Sequence, residues 1–525
     1  MKRFTLNTLV SALALSGMQT VFAGSDVFFN PLTQSTAVAT PNHINELNSP
    51  WQTPAGMQQR NLTSLGGIEA DPSQSVVRVQ GLGTGASMFD MSAFDPSGNY
   101  VFIPHETFNG AGLTRYSIID DTAEVLFSGD LNGANGDWSH DYGALDPATW
   151  TPNNTLFLAE EWSGEGRVIE VMNPMADPAN IHLRELNSIP NVAHEGLRFS
   201  RNGKALYFID EWNSGAVYKF MPAMTDGKLD YTRGQVFVLV VDAFDGIAAD
   251  LWNDSSNLAA VRTGPAHWEP MTDENGTPLT TTDPFKNGPS NDPRSNSDTR
   301  GGRGAADELN ATPFGRPEDV EVGRLANGHG VLYFNATSEK SLYSVEELGH
   351  GEAFVRLSAS EATTPKNLGY PATTAVLNSP DNLAQDALGN LYIVEDAPNR
   401  ADVGGDIWFV RDTDNDGVAE SLDHFMSLQV DGAESTGMIF NPAHPTQFIV
   451  SVQHPDSTDL AAVADGFGDA LWLFDLHDIV APPCNEDEDD DERDGFERNE
   501  AHAMNTCTHA MDRSFVKRLM KASRH

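Results

Sequence analysis

The stretch RFSRNGKALYFIDE, residues 198–211, decides the architecture. Asn202 and Gly203 mark a tight turn, and Leu206, Tyr207, Phe208 and Ile209 behind them form a short run of strand formers, so the segment reads as a β-hairpin. The run finishes on a carboxylate, Glu211, where a buried strand has no use for charge. The chain repeats this design in FDPSGNYVFIPHE (94–106), WTPNNTLFLAEE (150–161), RLANGHGVLYFNATSE (324–339), AQDALGNLYIVED (384–396) and IFNPAHPTQFIVSVQHP (439–455). Further strand-like segments follow, such as GRVIEVM (166–172), GAVYKFM (215–221), KSLYSVEEL (340–348) and GDIWFVRD (405–412). Copies are usually 50 to 60 residues apart, counted from Glu106 to Glu161, Glu161 to Glu211 and Glu395 to His454. A four-stranded propeller blade takes about 40–50 residues, so six copies predict an all-β, six-bladed β-propeller. The interval from Glu211 to Ser338 is longer: it holds GQVFVLVVDAFDG (234–246) and a polar stretch from about 250 to 312, read as an ordered insertion or lid. A seventh blade in that interval is the main competing architecture, and a pair of β-sandwiches comes next.

Radial repetition brings equivalent strand ends around one axis. Glu106, Glu160, Glu161, Glu211 and Asp396 therefore converge at one mouth of the channel. Like charges that close raise one another's pKa, and a multivalent cation relieves them; oxygen donors select calcium, magnesium or iron over soft metals. The plain alternative is that these acids solvate the blade ends. FGRPEDVEV (314–322) adds Arg316, Glu318 and Asp319: Glu318 reads as a metal ligand and Arg316 as a fork for an anionic substrate, since residues two apart on an extended strand do not readily pair. NVAHEGLRF (191–199) contributes His194 and Glu195, and SPDNLAQD (379–386) contributes Asp381 and Asn382, which suit calcium or an Asx turn equally. In DTDNDGVAE (412–420), Asp412, Asp414 and Asp416 followed by Gly417 match the start of a calcium loop, with Glu420 at its ninth position. Asp423 fills the twelfth position and no helices flank the loop, so the expected role is structural.

The chain has 525 residues, 39% of them hydrophobic, with 75 acids against 32 bases and a formal charge of -43. That charge repels nucleic acid and anionic membranes. The N-terminal MKRFTLNTLVSALALSGMQTVFA (1–23) reads as a Sec-type secretory signal, and no other run is long and apolar enough for a stable membrane anchor. The expectation is a periplasmic or secreted monomer. It divides into the signal peptide, an N-terminal extension (24–74), the propeller (75–480) with its insertion, and an acidic C-terminal tail (481–525). The two cysteines, Cys484 and Cys507, flank the acid run 485–497, either as a disulfide or as free thiols, and the propeller itself has none. No nucleophile elbow, phosphate-binding glycine loop or zincin helix stands in a supporting context.

Together, PHE (104–106), LAEEW (158–162), HEG (194–196), VYKFMP (217–222), RGAADELNATPFGRPEDVEV (303–322), SPDNLAQDALGNLYIVED (379–396) and TGMIFNPAHPTQFIVSVQHP (436–455) resemble the PhoX family of secreted bacterial alkaline phosphatases. The resemblance implies a six-bladed propeller that hydrolyses small phosphate monoesters at alkaline pH, with calcium and a ferric pair at the channel mouth. It further implies Arg316 on the phosphate and Glu318 on metal, with Glu106, Glu160, Glu161, Glu195, Glu211, Asp381, Asn382 and Asp396 as further ligands. The chain departs from the family at one point. A cysteine ligand to iron is expected shortly before the paired glutamates, and another cysteine is common where Ala159 stands; here the segment is WSHDYGALDPATW (138–150). His140 or Asp141 substitutes as a ligand, or the centre holds calcium or magnesium alone. The rival readings are a calcium-dependent propeller lactonase or esterase, and a non-catalytic calcium-binding secreted protein.

Overall fold

A computed structural model describes residues 28–37, 48–70, 89–286, 300–396, 404–430, 432–455, 468–480, 518–519 and 521. The signal segment, both cysteines and the acid run lie outside the described residues. Six antiparallel four-stranded units follow one another along the chain, each hairpin of the repeat forming the two innermost strands. Blade one comprises Ala93–Phe94, Tyr100–Pro104, Gly112–Ser117 and Thr122–Ser128, and blade two Leu145–Trp150, Leu156–Glu160, Val168–Val171 and Leu183–Glu185. Blade three runs through Leu197–Phe199, Leu206–Ile209, Val217–Thr225 and Lys228–Val241, and blade four through Pro317–Arg324, Gly330–Ala336, Ser341–Gly349 and Glu352–Ser360. Blade five holds Pro380–Gln385, Leu391–Glu395, Asp406–Arg411 and Ser421–Leu428. Blade six has Glu434–Phe440, Gln447–Gln453 and Ala470–Asp475 from the end of the chain, and its outer strand, Arg60–Ser64, comes from the beginning.

That borrowed strand closes the ring. It lies in the segment assigned to an N-terminal extension, and Trp51–Gln52 likewise pairs with the outer strand of blade five, so the propeller begins before residue 75. The inner seam between blades six and one is equally close. Gly437 has φ +64°, and a Cβ there would lie 2.7 Å from the Asp90 carbonyl oxygen, so the approach of the two backbones depends on glycine.

Apolar side chains from the alternating faces of neighbouring blades fill the gaps between them. Phe157, Ala159 and Val168 of blade two pack on Leu206, Phe208 and Tyr218 of blade three, and the same alternation recurs around the ring. The long interval supplies no seventh blade among the described residues. Besides strands of blades three and four, its described residues provide the strand Gly264–Pro270, which bridges the outer strands of those blades into one nine-stranded sheet, and the helix Gly301–Glu308. Arg303 of that helix forks onto Asp210 at 2.5 and 2.6 Å, both groups almost wholly buried. The helix is thus tied to the end of the second strand of blade three. No helix among the described residues is long and apolar enough to cross a membrane.

Candidate metal centre

The blade repeat delivers two side-chain positions per blade to one mouth of the ring. The first lies just before or within the opening residues of the innermost strand: Asp90, Asp146, Glu195, Glu318, Asp381 and Thr436 each stand four residues before the equivalent positions Phe94, Trp150, Phe199, Val322, Gln385 and Phe440. In blades two, four and five the ladder skips at that point, between Leu145 and Ala148, Pro317 and Val320, and Pro380 and Leu383. A bulge lifts the skipped residue out of the pleat and re-aims its side chain, which frees Asp146, Glu318 and Asp381 from the strand face. The second position follows the second strand of each blade: Glu106, Glu161, Glu211, Thr337, Asp396 and His454.

These groups form two overlapping carboxylate triads. Ligand oxygens of Asp146, Glu161 and Glu195 lie within 4.8 Å of one another, as do those of Glu195, Glu318 and Asp381, so Glu195 belongs to both. Burial, followed by the neighbouring carboxylates, raises the pKa of Asp146, Glu161, Glu195 and Asp381 well above the usual carboxylate range. Glu318 is raised in the same direction by burial although Arg316 opposes the shift, and Glu106 is pushed up to about 8 by burial and Asp90. Neither oxygen of Asp146 receives a hydrogen bond from an N–H or hydroxyl among the described residues; its close company is other carboxyl groups, Asp90 and Glu161. This is the donor set of a hard cation: oxygens only, close together, and undersupplied with protons or positive charge.

Arg316 is the cation of the site. Its backbone is left-handed at φ +59°, a conformation that costs a non-glycine residue energy and is held here by the Arg316 amide on the Trp212 carbonyl at 3.0 Å and by the Thr337 amide on the Arg316 carbonyl at 3.0 Å. The turn swings the guanidinium back over its own strand. Nε lies 2.6 Å from Glu211 and 3.1 Å from Glu318, and Nη1 lies 3.5 Å from Asp396. The pairing with Glu318 corrects the expectation from an extended chain, because the left-handed residue reverses the direction of its side chain. Arg316 and the triad residues Glu161, Glu195 and Asp381 line one cavity of about 430 Å³, with Trp162 and His454 at its wall. A larger cavity of about 1090 Å³ is lined by Arg201, Lys204 and Arg324 among others, and it contains neither triad. Chemistry, not volume, selects the smaller one.

Of the residues expected from sequence, Glu106, Glu161, Glu195, Glu211, Glu318, Asp381, Asp396 and Arg316 come together at this mouth. Others do not. Glu160 turns away: Arg167 binds its two oxygens at 2.6 and 2.9 Å, and the amides of Gly143, Glu165 and Arg167 complete its shell. Asn382 uses its carbonyl oxygen on Thr436 and the Gly437 amide, a seam between blades five and six. His194 sits under the site with Nε2 3.0 Å from the Pro190 carbonyl, and Glu395 accepts from the amides of Asn378 and Asp406 and the Trp408 indole. The substitutes proposed for the missing cysteine also fail, since His140 is exposed and Asp141 accepts from the amides of Gly110, Gly133 and Tyr142. Ala159 points into the apolar contact between blades. Asp412, Asp414 and Glu420 form a separate group within 4.8 Å on the loop between the outer strands of blade five, while Asp416 stays out of it and accepts from the Val418 amide.

Four site residues went unread in the sequence: Asp90, Asp146, Glu434 and His454. His454 Nε2 lies 2.5 Å from Glu434, and Gln453 donates to Asp90 and Glu106, linking blades six and one across the mouth. Aligning the blades on their inner strands, rather than on the strand ends, exposes Asp90 and Asp146 at once.

The sequence profile of the alkaline phosphatase PhoX family matches residues 132–456. No curated protein sequence matches the chain. Among solved structures, Pseudomonas fluorescens PhoX in complex with vanadate, a transition state analogue, is similar at 15% identity with a TM-score of 0.53, covering 86% of this chain and 99% of that one. A gluconolactonase from Xanthomonas campestris is similar at 11% identity and a TM-score of 0.36, covering 86% and 97% of the two chains. A calcium-binding regucalcin from Agrobacterium tumefaciens stands at 11% and 0.33, covering 74% and 92%.

Proposed function

The chain belongs to the alkaline phosphatase PhoX family and is a metal-dependent phosphomonoesterase; from that premise we propose that the ester is cleaved in the carboxylate basin, with Arg316 holding the phosphate and the two triads holding the metals. The observation that carries this reading is the sharing of Glu195 between two triads in the cavity that Arg316 also lines. The undersupplied oxygens of Asp146, Glu161, Glu195, Glu318 and Asp381 fit hard cations, calcium first, with iron compatible in its oxygen-seeking ferric state. Bound there, such cations supply Lewis acidity, neutralising the phosphate and activating water as the nucleophile.

The protein's own part is positioning. Glu211 and Glu318 hold the Nε edge of Arg316, which leaves Nη2 and the second hydrogen of Nη1 for two phosphate oxygens, the fork geometry that lysine lacks. Asp396 steadies Nη1, and Glu106, whose carboxyl accepts from the Trp162 indole, borders the cavity on the opposite blades. The net charge of -43 need not oppose phosphate binding, because cations held by the two triads would dominate the local field. Asp412, Asp414 and Glu420 are proposed to hold a structural calcium apart from the reaction, and residues 1–23 to direct export to the periplasm or beyond.

The test is release of phosphate from an aryl phosphate at alkaline pH by the purified protein supplied with calcium, with and without iron. Chelation is expected to abolish the release and added metal to restore it. Absence of turnover under every metal condition would sink the assignment of the reaction to this basin.

A further inference from the structure

We propose that Asp146 completes, with Glu161 and Glu195, an all-carboxylate metal position that needs no cysteine and selects a hard cation of the calcium, magnesium or manganese class. The inference rests on the phosphomonoesterase reading of the same basin. Its starting point is the segment 138–150, which supplies three candidates in place of the cysteine the family resemblance implies.

Two of those candidates are placed elsewhere. Asp141 is what a structural carboxylate looks like in this fold: fully buried, it accepts from three backbone amides, Gly110 and Gly133 at 2.7 Å and Tyr142 at 2.9 Å. His140 is exposed. Asp146, five residues on, is 1% exposed, yet neither of its oxygens receives a hydrogen bond from an N–H or hydroxyl among the described residues. A carboxylate in that state is costly to bury unless a cation comes to it. The backbone is built to aim it. The Ala148 amide donates to the Met91 carbonyl of blade one at 2.8 Å, Leu145 pairs with Glu160, and the skip between them leaves Asp146 and Pro147 outside the ladder. Pro147 has no amide hydrogen to lose there. The carboxylate arrives within 4.8 Å of the ligand oxygens of Glu161 and Glu195.

Replacing a thiolate by a carboxylate changes which metals gain. Soft and borderline cations draw much of their affinity from sulfur, whereas calcium, magnesium and manganese prefer carboxylate oxygen. The second triad, Glu195, Glu318 and Asp381, is likewise all oxygen, so neither triad favours a thiophilic ion.

The experiment counts metal rather than turnover. Full-length protein, D146N, D146C and E318Q are stripped with chelator and titrated with calcium, manganese and cadmium, with bound equivalents read by elemental analysis and folding by thermal unfolding. The expected result is that D146N stays folded and loses one equivalent of calcium or manganese that E318Q does not lose from the same position, or binds it at least roughly tenfold more weakly. D146C is expected to shift preference toward cadmium and to show thiolate-to-cadmium charge-transfer absorption. Retention of the full wild-type stoichiometry and affinity by D146N would overturn the proposal, as would a D146C variant whose preference for cadmium over calcium is no greater than that of the wild type. Either outcome is independent of phosphate release, so failure of the reaction assignment and failure of this site are told apart.

Discussion

Glu160 commits both oxygens to Arg167 and three backbone amides, while Glu161, the next residue, faces Asp146 and Glu195. The two should respond oppositely to the same change. E160Q breaks a buried ion pair and leaves Arg167 without its main counter-charge, so stability falls by about 3–5 kcal/mol; E161Q removes a charge from a crowd of like charges, so the metal-free protein melts higher while metal binding weakens. Thermal unfolding in chelator, paired with calcium titration, checks both. Arg316 carries a different expectation. Because its two terminal nitrogens act as a fork, R316K should behave nearly as badly as R316A, each lowering kcat/KM about a hundred- to a thousandfold. Steady-state kinetics with an aryl phosphate measure it, and full rescue by lysine would show that charge alone suffices.

Among the elements, the outer strand of blade six and the helix Gly301–Glu308 hold the site together from a distance. Arg60–Ser64 pairs with Ala470–Asp475 and joins the two ends of the chain. A chain beginning at residue 70 leaves that blade with three strands and an exposed edge, so it is expected to aggregate and to lose its cooperative unfolding transition. Size-exclusion chromatography and calorimetry decide this, with a peptide spanning residues 48–69 expected to restore the transition in part. Arg303 acts through Asp210, the residue before Glu211. R303A should destabilise by about 3–5 kcal/mol through the stranded Asp210 charge. The loss appears in urea unfolding, whereas a KM defect without loss of stability would contradict a tethering role.

For the molecule as a whole, the basin couples folding to protons and metal. Glu106 has a folded pKa of about 8 against its ordinary 4.5, raised by burial and Asp90. A carboxyl whose pKa is raised on folding holds more protons in the native state, so its contribution is full below the unfolded value and is lost as pH rises through the folded one. The metal-free protein is therefore expected to lose stability between about pH 4.5 and 8, by on the order of 1 kcal/mol per pH unit per such group. Saturating calcium should flatten or reverse that slope, because the cation replaces the proton. Melting temperatures across that range, with chelator and with calcium, measure the difference. The sequence alone determined the repeat, the turns, the blade count, and the carboxylates after the second strands such as Glu106, Glu161 and Glu211, since hairpin chemistry and a fixed period are local properties. It could not tell Glu160 from Glu161, because neighbouring residues on a strand point to opposite faces and a one-residue change of phase exchanges them. Asp146 was hidden by a bulge, Arg316 reached Glu318 through a left-handed backbone, and Arg60–Ser64 found a partner near the other end of the chain. The first two rest on contacts with a neighbouring blade, Met91 for the Ala148 amide and Trp212 for the Arg316 amide, and the third on closure of the ring; none of these partners lies in the local sequence.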